Sequence, residues 1–148
     1  MSEDQANTIQ TPKWFQTVSF VALAWNLMGV FAFISHVMLT PEDIAQMPLA
    51  EQALYTDIPS WATNAFGLAV FAGALGSLGL VLKKIWSKNM LIVSLVAVLV
   101  HDYHSLIMLD TIGVYGKTIL VMPTLVIIIS LALIWLSTKA KQNSWLTE

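Results

Sequence analysis

The stretch "WATNAFGLAVFAGALGSLGLVLKK", residues 61–84, decides the fold class because an uninterrupted apolar run ends in two lysines. A helix needs roughly 20 predominantly apolar residues to cross a hydrocarbon core about 30 Å thick. The run Trp61–Leu82 has about that length and contains no charged residue. The stretch therefore predicts a transmembrane helix with Lys83 and Lys84 at one membrane surface.

The rest of the chain repeats this pattern. Further apolar runs of similar length occur at about residues 14–39, 89–109 and 117–136. The chain is 57% hydrophobic and 11% charged, whereas soluble domains carry about 25% charged residues. We therefore predict an all-α polytopic membrane protein. Its four transmembrane helices form a single domain over residues 14–138, between polar cytoplasmic tails at residues 1–13 and 139–148.

The lysines predict the orientation of the chain. With four spans, all basic residues except Lys117 fall on the same side of the membrane. Inner-membrane proteins carry an excess of lysine and arginine in their cytoplasmic loops. We therefore expect a multi-pass protein of the bacterial inner (plasma) membrane with both termini in the cytoplasm. The lysines on the cytoplasmic side are Lys13, Lys83, Lys84, Lys88, Lys139 and Lys141.

The outer loop between the first two spans, residues 40–60, carries helix signals of its own. "TPED" at residues 40–43 places a threonine cap, a proline and two acids in the order typical of a helix start. A second start follows Pro48, so we predict two short helices on the outer surface. Two interpretations remain open, a connector that rests on the bundle and an acidic lid over an outward-facing cavity.

The second span also sets Gly73, Gly76 and Gly79 three residues apart. Small residues at such spacing allow another membrane helix to approach closely, which favours helix packing at this face. The approaching helix belongs either to the same chain or to a partner. In the second case the partner is another copy in a homo-oligomer or a different membrane protein.

The third span, "LIVSLVAVLVHDYHSLIMLD" at residues 91–110, is interrupted by His101, Asp102 and His104. At about 1.5 Å rise per residue, His101 lies roughly 20 Å from the inner boundary at Lys88, in the outer third of the hydrocarbon core. Ionisable groups at this depth are costly and often mark binding sites or ion pathways.

Polar residues of other spans are predicted at the same level, so we expect one cluster of candidate binding residues. Its members are His36, Asn64, His101, Asp102 and His104, with Asn26 as a secondary polar position deeper in the first span. Three interpretations remain open. The cluster is a hydrated cap at the interface, a group that handles protons or substrate, or a metal site. A metal ion would use the three histidines as ligands, with Asp102 as a further ligand or as a hydrogen-bond partner of a ligating histidine, and no other cofactor is expected.

Several functional classes are excluded by residues that the chain lacks. There is no cysteine and no arginine, so there is no thiolate nucleophile and no arginine-rich footprint for a nucleic acid. The chain also has no serine-centred nucleophile elbow and no glycine-rich phosphate loop. We therefore expect neither an enzyme nor a nucleic-acid partner, and no catalytic residue is assigned.

The stretches "LAWNLMGVFAF", "MLTPEDIAQMP" and "LYTDIPSWATNAFGLAVFAGALGSLGLVLKK" resemble an uncharacterised family of small four-helix bacterial inner-membrane proteins, often labelled "sugar transporter". The likeness covers most of residues 14–136 and implies a four-helix membrane fold, while the family has no established mechanism. The "HDYH" stretch, residues 101–104, is outside the family pattern. The residues that match are Trp25, Asn26, Gly29, Pro59, Trp61, Gly73 and Gly76.

Two functions follow from these patterns. The first, which we favour at this stage, is an accessory membrane subunit that binds a partner through the glycine face and the outer loop. The alternative is a small, oligomeric transporter of a small solute or cation that uses the polar cluster. Four spans leave one chain little room for a gated path, which is why the transporter is expected to self-associate.

Overall fold

The computed structural model describes residues 10–56 and 58–148, and these residues are almost entirely helical. Four helical segments are long and apolar enough to cross a membrane, Lys13–Val37, Ser60–Val81, Ser87–Met108 and Lys117–Gln142. None of the described residues forms a β-strand beyond one isolated bridge. The predicted all-α fold with four such helices is confirmed, and it indicates a multi-pass membrane protein.

Three short α-helices, α2, α3 and α6, and two short segments of other helix types complete the fold. α5 continues as a π-helix, Tyr103–Met108, and α7 follows a 3-10 turn, Lys117–Leu120. The first loop contains α2 and α3, so the two short helices predicted there are confirmed. The α-helices are α1 (Lys13–Val37), α2 (Pro41–Ala45), α3 (Leu49–Tyr55), α4 (Ser60–Val81), α5 (Ser87–Asp102), α6 (Thr111–Tyr115) and α7 (Val121–Gln142).

α2 begins with the cap that the "TPED" pattern predicts. The Asp43 backbone N–H donates to Thr40 Oγ1 at 3.2 Å, and the Thr40 backbone N–H donates to Asp43 Oδ2 at 2.9 Å. This reciprocal pair is a capping box, which satisfies donors that the first helical turn leaves free. The hydrogen bonds from the Thr40 backbone and side chain hold the pKa of the Asp43 carboxyl below its usual range.

α4 lies at the centre of the bundle, with α1 on one side and α5 on the other, while α7 packs on α5. Gly73, Gly76 and Gly79, which we call the glycine stripe, make these approaches close. A Cβ placed on Gly76 would lie 2.7 Å from Leu91 Cγ, and one placed on Gly79 would lie 2.8 Å from Ser87 Cβ. Gly73 faces the Asn26 side chain of α1 in the same way. The glycine stripe is therefore covered by helices of the same chain.

Hydrogen bonds between small polar residues connect the helices near this stripe. Asn26 donates from its amide to the Ala22 carbonyl at 2.9 Å and to Ser77 Oγ at 2.8 Å. Ser94 Oγ donates to the Ala69 carbonyl at 2.6 Å. Where lipid surrounds the helices, such hydrogen bonds and close backbone packing replace the hydrophobic effect as the force that joins them.

The end of the bundle that contains Lys13, the turn at residues 83–86 and residues 139–148 is called the terminal end here. α7 continues to Gln142, beyond the predicted end of the span at residue 136, because Ser137 and Ala140 are buried against the bundle. Ser144 then adopts a left-handed conformation with φ 57°, which reverses the chain.

The last residues pack back onto the terminal end. The Trp145 ring lies 5.8 Å from Trp14 and 5.5 Å from Phe15, measured between centroids. Leu146 is buried, and the Thr147 carbonyl accepts from the Ile85 backbone N–H at 2.9 Å. Residues 139–148, which were predicted as a cytoplasmic tail, comprise the end of α7 and this packed segment.

Candidate functional site

All three histidines of the chain line one cavity of about 220 Å³ at the opposite end of the bundle. We call this cavity the histidine cavity and this end the histidine end. His36 comes from the end of α1, His101 from the end of α5 and His104 from the π-helix. The histidine end therefore brings together side chains that are up to 68 positions apart, as between His36 and His104.

Aromatic rings hold the histidines in place. Phe66 of α4 stacks on His101 at 4.7 Å between centroids and meets His36 edge-on at 5.7 Å. Trp61 meets His104 edge-on at 5.1 Å, and His104 is only 4% exposed. Such contacts fix a ring by its faces and edges.

The π-helix sets the direction of His104. The Leu109 backbone N–H donates to the His104 carbonyl five residues earlier, at 3.0 Å. Thr111 Oγ1 donates to the Ser105 carbonyl at 3.0 Å, which satisfies another carbonyl of the widened turns. π-helical turns are rare and occur frequently at functional sites. Here the widened turns bury His104 while Tyr103 and Ile107 stay exposed.

The first loop forms part of the cavity wall. Leu54 is buried, and Leu54, Tyr55 and Ile58 all line the histidine cavity. The Tyr55 ring lies 5.8 Å from the His36 ring. These contacts fit both interpretations of the loop, a connector that rests on the bundle and an acidic lid over a cavity.

Polar groups from α4, α6 and the π-helix complete the lining. Thr63, Ser105, Thr111 and Tyr115 all contribute to it. Burial, together with the hydrogen bond and the charge of the Glu51 carboxylate, raises the pKa of Tyr115. The histidine cavity thus offers both donors and acceptors beside aromatic faces.

Asp102 faces a second cavity. It lies about 100° around α5 from His101, and it lines a cleft of about 410 Å³ between α1 and α7, which we call the lateral cleft. His101 and Phe66 line both cavities, so this pair separates them. His101 Nδ1 and Asp102 Oδ2 are buried and have no hydrogen-bond partner among residues 10–56 and 58–148.

The predicted cluster is thus brought together in part. The three histidines share one cavity, and Asp102 lies behind His101 in the lateral cleft. Asn64 is exposed and lines neither cavity, because one residue along a helix turns the side chain by about 100° and its neighbour Thr63 takes the inward position. Asn26 lines the lateral cleft and donates a hydrogen bond to Ser77 of α4.

Sequence reasoning missed several residues of the site. Phe66 has a predictable position, one helical turn after Ala62 and Thr63, but its stacking on His101 depends on how α4 meets α5. Thr111 could not be found from spacing, because its place depends on the π-helix and on the left-handed Asp110 with φ 49°.

Within the described part of the chain, no group of three His, Cys, Asp or Glu side chains has the arrangement that could hold a metal ion. The histidines are separated by aromatic rings, with Phe66 against both His36 and His101.

Compared with known proteins, the chain matches no family model, no curated protein sequence and no solved structure.

Proposed function

We propose that this chain is an integral membrane protein that binds a small, uncharged polar solute in the histidine cavity, as a step in moving that solute across the bacterial inner membrane. The observation that carries the proposal is the gathering of all three histidines around one cavity. Its volume of about 220 Å³ lies below the ~300–1,000 Å³ of drug-sized pockets, which suits a small solute.

The lining favours a solute without net charge. Imidazole, hydroxyl and phenol groups can donate and accept hydrogen bonds, while Phe66 and Tyr55 offer flat apolar faces. The carboxylate of Asp102 is directed to the lateral cleft and does not line this cavity. Sugars and other polyols combine hydroxyl groups with apolar C–H faces, and "sugar transporter" is a label often given to the family that the sequence resembles.

An accessory subunit that binds a partner is the other candidate function. It would use the glycine stripe, but Gly73, Gly76 and Gly79 are buried against α1 and α5. A partner or a second copy would therefore have to bind elsewhere, for example on the exposed apolar face of α1. Solute binding is better supported, because its cavity is already formed by a single chain.

In this proposal both termini lie in the cytoplasm, and the histidine end faces the outside. The proposed activity is binding and passage, without chemical conversion and without a cofactor. The lysine distribution supports the orientation. Alkaline phosphatase fused after Glu148 should be inactive and green fluorescent protein at the same place fluorescent. The opposite pair of results would contradict the orientation.

Uptake into proteoliposomes tests the proposed activity. Radiolabelled D-glucose and glycerol are suitable first probes, and native mass spectrometry of the protein released from membranes identifies any other retained solute. We expect saturable uptake by the wild-type protein. His36→Ala and His104→Ala should each reduce uptake by about tenfold, because each removes one hydrogen bond to the solute.

Asn64→Ala is the matched control, since Asn64 lies at the same end of the bundle and lines neither cavity. It should leave uptake unchanged. Absence of any retained solute, together with a stoichiometric partner protein after gentle extraction, would contradict solute binding and support the accessory role.

A further inference from the structure

The lateral cleft is a second cavity, and the proposed function does not use it. α1 packs on α4 and α7 packs on α5, which leaves a half-open gap between α1 and α7. Its walls are mainly apolar, with Trp25, Met28, Val126 and Ile129 among them. The lining residues come from α1, α4, α5 and α7. Because all four helices belong to segments that can span a membrane, the cleft is reached from the lipid side.

The polar end of the cleft contains buried atoms that lack a hydrogen-bond partner among the described residues. Asp102 Oδ2 and His101 Nδ1 are buried without a partner among the described residues. Two other polar side chains of the cleft already have partners, since Asn26 donates to α4 and to its own helix, and Ser94 donates to the Ala69 carbonyl. None of the described lysines lines the cleft.

A carboxyl oxygen that is buried without a partner is unfavourable, especially in a membrane segment. A ligand that brings a positive charge and N–H donors would satisfy it, and charge-assisted hydrogen bonds of this kind are strong. The unpartnered Nδ1 of His101 can accept a second N–H from the same group. The remainder of such a ligand must be apolar, because the rest of the cleft is apolar.

We propose that the lateral cleft binds a lipophilic amine, whose ammonium group donates to Asp102 and His101 and whose apolar body lies between α1 and α7. The volume of about 410 Å³ falls within the range of ~300–1,000 Å³ that is typical of small-molecule pockets. The ligand enters from the bilayer, where amphiphilic amines concentrate. This site does not depend on the solute of the histidine cavity, with which it shares the wall formed by His101 and Phe66.

The test uses the full-length chain in phosphatidylcholine nanodiscs with tritiated 1-aminoadamantane as the probe. 1-Adamantanol, which has the same body and no positive charge, is the matched competitor. We expect saturable binding of the amine, about tenfold weaker binding for Asp102→Asn, and poor competition by the alcohol. Asn64→Ala should bind like the wild type.

A second variant separates a lost site from a lost fold. Val126→Trp adds bulk to the cleft wall while leaving Asp102 in place, and it should remove amine binding as well. His36→Ala changes only the histidine cavity, and it should leave amine binding unchanged even if it abolishes solute uptake.

Three results would overturn the proposal. One is absence of saturable amine binding to the wild-type chain. Another is equal competition by amine and alcohol together with no effect of Asp102→Asn, which would mean that the cleft holds only lipid chains. The third is loss of amine binding with His36→Ala and not with Asp102→Asn, which would put the amine in the histidine cavity.

Discussion

The two ends of the bundle are built in opposite ways. At the terminal end, glycines, serines and the last residues of the chain leave helices in close contact, and Phe15, Leu80 and Ala140 are fully buried. At the histidine end, the helices separate around the histidine cavity, and two buried polar atoms have no partner among the described residues. One end of this small bundle is therefore closely packed, and the other keeps a space in which a ligand can bind.

The largest effect should come from bulk added to the terminal half of the bundle. Gly76→Val places a side chain where even a Cβ would lie 2.7 Å from Leu91 Cγ. We expect a loss of about 3 kcal/mol or more in the free energy of unfolding, since overpacking costs about 1–3 kcal/mol and sometimes more. Thermal unfolding in detergent measures it.

Gly29→Ala is the control for that substitution. Its new Cβ would lie 3.3 Å from a single methyl group of Val70, which can shift by a few tenths of an ångström. We expect near-native stability. Equal stability of Gly76→Val and Gly29→Ala would mean that α4 and α5 are not in close contact at the glycine stripe.

Removal of the last residues should have the second-largest effect. A chain that ends at Ser144 loses the Trp145 ring contacts and the burial of Leu146. We expect a loss of about 2–3 kcal/mol, the cost of removing one or two buried apolar side chains. Gln142→Ala, at an exposed position, is the control. If the shortened chain unfolds at the same temperature as the full chain, residues 145–148 are not part of the terminal end.

A substitution at the histidine end should cost less stability. His104→Ala removes one edge-on contact with Trp61, which is worth about 0.5–1.5 kcal/mol. The adjoining cavity already leaves that side chain with unfilled space, so we expect a loss of about 1 kcal/mol, measured in the same unfolding experiment. A loss as large as that of Gly76→Val would show that the histidine end is packed as tightly as the terminal end.

How far the sequence predicts this molecule also differs between the two ends. The four spans, the two loop helices and the glycine stripe follow from hydropathy, caps and spacing, because each is a local pattern. The packing of Trp145 on Phe15 cannot be predicted in this way, because the left-handed turn that precedes it is at Ser144 and not at a glycine. The histidine end was anticipated in part, because polar residues in apolar spans are conspicuous.

The missing part of the site has a physical reason. A prediction from depth places His36, Asn64 and His101 at one level, but it says nothing about rotation around each helix. Rotation decides that Thr63 faces the cavity and Asn64 does not. The π-helix changes the rotation again for every residue from Tyr103 to Met108, and no periodic pattern in the sequence predicts it.

The smallest effect should be local and dependent on pH. Because hydrogen bonds from Thr40 lower the pKa of Asp43, its carboxylate stabilises α2 above pH ~4, the ordinary value of a carboxyl group. This stabilisation is lost as the pH falls through the lowered pKa. Proteolysis of the first loop should therefore become faster at low pH in the wild type. Asp43→Asn should be cut faster than the wild type near neutral pH and should show less change with pH.

The contrast between the ends can be measured most directly by cysteine labelling, since the natural chain has no cysteine. Ser105→Cys places a thiol in the lining of the histidine cavity, and Ser77→Cys places one at a fully buried position beside the glycine stripe. With a small, membrane-permeant maleimide on the folded protein, we expect Ser105→Cys to react and Ser77→Cys to react only after unfolding. Equal labelling of the two, or faster labelling of Ser77→Cys, would contradict a bundle that is closed at one end and hollow at the other.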